Sequence, residues 1–72
     1  MAAITYSLHI TGDRHIRVRV GRMREYISLD HKDRDELRSA VAIALYSKGV
    51  PVNKDRLANE LYDLLWRQEE VA

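Results

Sequence analysis

The sequence predicts an α+β domain, a three-stranded antiparallel β-meander packed on an α-helical hairpin. Apolar and polar residues alternate in three short stretches that glycines separate, and two later stretches carry apolar residues at helical spacing. The strands are expected at about residues 4–10, 15–20 and 25–29, and the helices at about residues 34–48 and 54–68.

Length and composition limit the class of protein. The chain has 72 residues, enough for the single domain 1–72, and no cysteine that could form a disulfide or bind a metal. The first residues lack the basic and apolar segments of a secretory signal, and no apolar run approaches the ~18 residues of a membrane span. These features predict a soluble cytoplasmic protein without membrane contact.

The positions of the apolar residues constrain how the strands pair. Apolar residues have even numbers in the first two strands and odd numbers in the third. Residues paired across two strands lie on the same face of the sheet. The two residue numbers of a pair must therefore add up to an even value between the first and second strands, and to an odd value between the second and third. A three-residue loop between the first two strands pairs Leu8 with Val18. A turn centred on Arg22-Met23 pairs Val18 with Ile27. The outer face then carries two predicted rows, Ser7–Arg19–Tyr26 and His9–Arg17–Ser28.

Both helices have recognisable ends. Asp33 is placed to cap the first helix, with Glu36 three residues later as in a capping box. Gly49 can take the left-handed conformation that ends this helix, and Asn53 is placed to cap the next one, after Pro51.

The first helix is apolar on more sides than one sheet and one helix can cover. Leftover apolar surface on so small a domain predicts a homodimer or a protein partner. The residues expected at such an interface are Ile43, Tyr46, Tyr62 and Trp66. The alternative is that the aromatic residues among them belong to the core, although Tyr and Trp also dominate binding hot spots.

Charge is distributed unequally along the chain. Residues 1–29 carry five arginines, no lysine and two acidic residues, a net charge of +3, whereas residues 30–72 carry a net charge of −2. Arginine suits two-point contacts to phosphate or guanine. Double-stranded DNA is therefore one predicted ligand of the sheet's outer face, and a solubilising surface is the alternative. The candidate nucleic-acid contacts are Arg17, Arg19, Tyr26, Ser7, His9, Arg22 and Arg24.

No catalytic, metal-binding or cofactor-binding residue is predicted. The acidic residues near Asp33 are explained by helix capping and the helix dipole. His9 and His15 have no third ligand beside them and are expected to be surface residues. The chain is therefore expected to be non-enzymatic.

Two segments resemble DNA-binding families. The stretch Glu25–Leu29, the first helix, and the turn Gly49–Asn53 that opens the second helix together resemble the ribbon-helix-helix repressors over residues 25–68. That resemblance implies a dimer whose paired strands enter the major groove. Pro51 stands where a serine is usual in that turn, and the third strand already has a neighbour within the chain.

The second resemblance covers residues 14–46. An arginine-rich hairpin, Arg17–Arg24, leads through Tyr26 into one helix, which is similar to the three-stranded DNA-binding sheets of phage-integrase arm-binding and AP2-like domains. It implies DNA contacts by Arg17, Arg19 and Tyr26. The second helix is extra to that pattern.

The function expected from the sequence is a small regulator that binds DNA, of the kind that phages and plasmids encode. The alternative is a protein-binding inhibitor or adaptor, for example a phage-type anti-defence protein. It would act through the helical aromatic residues or through the arginine face.

Overall fold

The α+β fold is confirmed by a computed structural model, which describes residues 5–67. Three strands come first, β1 (Tyr6–Ile10), β2 (His15–Val20) and β3 (Met23–Ser28), followed by the helices α1 (Arg34–Ser47) and α2 (Lys54–Leu61). A π-helical turn, Tyr62–Trp66, continues α2. The strands form one antiparallel sheet in the order β1-β2-β3.

The predicted pairing of β1 with β2 is confirmed. Leu8 lies opposite Val18, and the backbone N–H of Thr11 donates to the carbonyl of His15 at 2.9 Å to close a three-residue loop. The last loop residue, Arg14, has a φ of 63°, the left-handed conformation that three-residue hairpin loops require at this position.

The predicted pairing of β2 with β3 is wrong by two residues. Ile27 lies opposite Ile16, and Val18 lies opposite Glu25. The cause is a two-residue turn in which Gly21, with a φ of 59°, takes the first central position, where glycine is favoured. The third strand therefore begins at Met23, earlier than expected. A shift of two residues preserves the face of every side chain, so Ile27 is still buried.

Both helices cover the same face of the sheet. α1 packs on β2 and β3, and a hydrogen bond from Tyr6 to Glu60 brings α2 to the side of β1. The core between the layers is apolar throughout, and no buried polar or charged residue occurs within residues 5–67. Its buried members are Ile16, Val18, Val20, Ile27, Leu37, Val41, Ala44, Leu45, Val50, Leu57 and Leu61.

The helix ends follow the predicted chemistry. The Asp33 carboxylate accepts from the N–H of Glu36 at 2.8 Å, and Asn53 caps α2 in the same way. Gly49 has a φ of 79°, and the N–H of Val50 donates to the carbonyl of Leu45 at 3.0 Å, which together form a Schellman end.

The expected ends of the first strand at residue 4 and of the second helix at residue 68 lie outside the described residues. Within residues 5–67, no helix is both long and apolar enough to cross a membrane.

Candidate nucleic-acid interface

The outer face of the sheet is open to solvent because both helices pack on the opposite face. Strand alternation sends one set of side chains outward, and none of them is acidic. This outer face consists of Ser7, His9, His15, Arg17, Arg19, Arg24, Tyr26 and Ser28. Six of the seven predicted nucleic-acid contacts lie here, and the seventh, Arg22, lies exposed in the adjoining turn.

The neighbours across the strands differ from those predicted. The observed rows are Ser7–Arg19–Arg24 and His9–Arg17–Tyr26, because β3 is shifted by two residues against β2. Tyr26 therefore adjoins Arg17 instead of Arg19, and Arg19 adjoins a second arginine. The shift concentrates charge in one row and places the aromatic residues in the other.

The arginines of the β2–β3 hairpin differ from the other arginines in their partners. Elsewhere in residues 5–67, Arg34 lies over the Trp66 ring and four arginines pair with carboxylates, as Arg14 does with Asp30 at 2.9 Å. Three more such pairs are Arg38–Asp35, Arg56–Glu60 and Arg67–Asp63. The four hairpin arginines have no carboxylate partner among the described residues. They are Arg17, Arg19, Arg22 and Arg24.

Two of the hairpin arginines are held in different ways. Arg19 donates from Nε to the carbonyl of Gly21 at 3.0 Å, which fixes the side chain along the turn and leaves the rest of the guanidinium exposed. The Arg17 side chain is half-buried. Its Nε is covered and has no hydrogen-bond acceptor among residues 5–67. An arginine N–H that is shielded and unpaired costs free energy, which an incoming acceptor can recover if the side chain reorients.

Glu25 does not reduce the positive charge of the outer face. It points to the helix side, where Lys48 Nζ lies 3.3 Å from its Oε1. The Lys48 side chain is only 9% exposed and also donates to the carbonyl of Ala44. In the sequence, Glu25 belongs to the arginine-rich segment, and its charge there does not indicate this orientation. The alternation of β3 was the available signal, since Tyr26 and Glu25 must face opposite ways.

The histidine end of the outer face carries a local network instead of a metal site. His15 Nδ1 lies 2.9 Å from the carbonyl oxygen of Asp13, and the Thr11 hydroxyl donates to the Asp13 carboxylate. This hydroxyl bond holds the pKa of Asp13 below its ordinary value. No group of three or more His, Asp or Glu side chains within residues 5–67 is arranged to hold a metal.

The four predicted interface residues fall into two sets. Ile43 and Tyr46 lie on the side of α1 that faces away from the sheet, and they are 68% and 57% exposed. Tyr62 and Trp66 are half-buried beside a groove of about 300 Å³ between the helices. The guanidinium of Arg34 lies 4.7 Å from the centre of the Trp66 ring, a cation–π contact that covers it.

Comparisons with known proteins tested neither of the family resemblances. The chain matched no protein-family model, no curated protein and no solved structure. The resemblances to ribbon-helix-helix repressors over residues 25–68 and to three-stranded DNA-binding sheets over residues 14–46 therefore stay predictions.

Proposed function

We propose that this protein is a small non-enzymatic regulator that binds DNA through the outer face of its sheet. The observation that carries the proposal is the absence of a carboxylate partner for the four hairpin arginines among the described residues. These arginines share one surface with Tyr26 and His9, and no acidic side chain points outward from the strands of that surface.

The pairing of arginines elsewhere argues against a merely solubilising role for this face. Surface arginines on the loops and helices, such as Arg14 and Arg56, have carboxylates within 3.1 Å. Exposed arginines such as Arg14, Arg56 and Arg67 thus have carboxylate partners, whereas the arginines of the β2–β3 hairpin have none among the described residues. A guanidinium offers several N–H donors in one plane, which matches the oxygens of a phosphate.

Salt dependence gives the test. Binding of fluorescent duplex and single-stranded DNA would be titrated at about 50 and 200 mM salt, because each neutralised duplex phosphate contributes about −0.9 to the log–log slope. The double variant Arg17→Ala, Arg19→Ala should bind more weakly, with a duplex slope shallower by about 1.8 if each arginine contacts one phosphate.

The control is the double variant Arg56→Ala, Arg67→Ala, which removes the same charge from exposed arginines of α2 and its continuation. It should bind DNA as the unmodified protein does. Equal binding by the Arg17, Arg19 variant, or no binding of any DNA at low salt, would contradict the proposal.

A second candidate function is protein binding through the outward side of α1, supported by the exposure of Ile43 and Tyr46. Ser39, one turn before Ile43, is exposed and uncharged as well. Two copies of this surface can meet about a twofold axis and cover each other's apolar side chains. This surface would hold a homodimer together or bind a target protein as an inhibitor or adaptor does, in a cytoplasmic setting.

A further inference from the structure

Three planar side chains form one row across the whole sheet. His9 of β1, Arg17 of β2 and Tyr26 of β3 are direct cross-strand neighbours, so an imidazole, a guanidinium and a phenol ring follow each other on adjacent strands. Strand spacing is about 4.8 Å, so the row spans about 10 Å between its two outer strands. We call these three residues the planar row.

Tyr26 differs from the other described aromatic residues because neither its ring nor its hydroxyl has a partner among residues 5–67. It is 54% exposed, and no described residue hydrogen-bonds to it or stacks on it. By contrast, Tyr6 donates to Glu60, Tyr46 donates to the carbonyl of Val52, and Trp66 lies under Arg34. A large ring left open beside exposed arginines is typical of a stacking site.

Positive charge lies directly beside this ring. The row Ser7–Arg19–Arg24 adjoins the planar row, two residues along each strand, or about 7 Å away. Arg19 and Arg24 are both exposed, and Arg22 follows in the turn. A base stacked on Tyr26 would have its neighbouring phosphates within reach of these side chains.

From this geometry we infer that the planar row binds an unpaired base of a single-stranded nucleic acid, with Tyr26 as the stacking surface and the hairpin arginines on the phosphates. The inference rests on the proposed function and specifies its ligand as a single strand with an unpaired base. Single-stranded DNA and RNA share the required chemistry, a free base face beside a phosphate.

A duplex uses this face less well than a single strand does. In a duplex the faces of the bases are stacked on one another, so a tyrosine ring can reach only their edges. The major groove is about 12 Å wide and accommodates two strands, whereas three strands already span about 10 Å between their outer axes before side chains are added.

The test measures binding of three fluorescent probes of about 12 nucleotides, oligo-dT, oligo-rU and a mixed-sequence duplex, at low salt. We expect the single strands to bind more tightly than the duplex. Tyr26→Ala should weaken single-strand binding by about 5- to 150-fold, the loss that removal of one base–aromatic stack produces. Tyr26→Phe retains the ring and should bind as the unmodified protein does.

Tyr46→Ala is the matched control, because Tyr46 is as exposed as Tyr26 but lies on the opposite side of the molecule. It should leave binding of all three probes unchanged. Comparing oligo-dT with oligo-rU identifies which nucleic acid is the ligand. Tighter binding of oligo-dT indicates single-stranded DNA, and tighter binding of oligo-rU indicates RNA. Equal affinities assign both, and each of these results agrees with base stacking.

The contrary results separate this inference from the proposed function. Duplex binding that equals or exceeds single-strand binding, or single-strand binding that Tyr26→Ala does not alter, overturns the inference and leaves arginine-mediated DNA binding intact. Failure of both DNA probes to bind at low salt overturns the proposed function itself.

Discussion

The Tyr6 hydroxyl donates to the carboxylate of Glu60 and lies 2.9 Å from each of its oxygens, joining β1 to α2 across 54 positions of sequence. Among the described residues, the pair Lys48–Glu25 is a second polar contact between the sheet and a helix, joining α1 to β3. β1 is an edge strand, and the bond from Tyr6 holds it against the helical layer.

Removing this hydroxyl should destabilise the fold modestly. We expect Tyr6→Phe to lower the free energy of unfolding by about 1 kcal/mol, below the usual range of about 1.5–3 kcal/mol for a hydrogen bond to a charged group because the site is half-exposed. Glu60 would keep Arg56, which lies 3.1 Å away. Urea denaturation measures the change. Tyr46→Phe is the control, since its exposed hydroxyl makes only a 3.4 Å contact, and an equal loss there would contradict the prediction.

The same bond predicts how stability depends on alkaline pH. Burial, and then the hydrogen bond to Glu60, raise the pKa of Tyr6 above its ordinary value of about 10. The folded state therefore keeps this proton when the unfolded chain has lost it, and stability falls as pH rises from about 10 through the folded pKa. Below that range the full contribution is present.

Comparison of two proteins isolates this effect from other alkaline titrations. The free energy of unfolding of the unmodified protein should fall more between about pH 8 and pH 11 than that of Tyr6→Phe. The reason is that the phenylalanine at position 6 has no ionisable proton. Parallel pH profiles would show that the Tyr6–Glu60 bond does not couple to folding.

The first hairpin was predictable from the sequence to the residue, and the second was not. Between β1 and β2, alternation and a loop of common length gave Leu8 opposite Val18, as observed. Between β2 and β3, alternation required only an odd sum, which both Val18–Ile27 and Ile16–Ile27 satisfy. The conformation of Gly21 decides between them, and alternation carries no information about it.

The composition of the outer face was predictable, but its internal order and its charge balance were not. The alternation of side chains along β2 and β3 placed Arg17, Arg19 and Tyr26 on the same face of the sheet, whichever turn joined the two strands. Which arginine adjoins Tyr26 depends on the two-residue shift. The lack of carboxylate partners for the hairpin arginines depends on where other parts of the chain place their acids, as when Asp30 pairs with Arg14.

The end of α1 requires a glycine at one position. Gly49 has a φ of 79°, and a side chain there would meet no atom within 4 Å, so the cost of Gly49→Ala is conformational and not steric crowding. We expect it to lower the free energy of unfolding by about 1–2 kcal/mol. Gly12→Ala is the control, because its surroundings are equally open and its φ is not in the left-handed region. Thermal or urea denaturation of both would measure the difference, and equal effects would argue against it.

The exposed side of α1 leads to the last prediction, a homodimer held by Ile43 and Tyr46. Both side chains face water, and their apolar surface can be covered by a second copy about a twofold axis. Light scattering should give a mass twice 8.4 kDa at micromolar concentrations, and the double variant Ile43→Ser, Tyr46→Ala should give 8.4 kDa.

Two further measurements show whether this surface is the cause. Tyr26→Ala removes an equally exposed tyrosine from the sheet and should leave the dimer intact, because the sheet's outer face points away from α1. In the dimer the two outer faces would lie on opposite sides, so each copy would bind nucleic acid independently and the Tyr46 variant would keep its affinity. A mass of 8.4 kDa for the unmodified protein at every concentration would rule out the dimer and leave α1 free for a different protein.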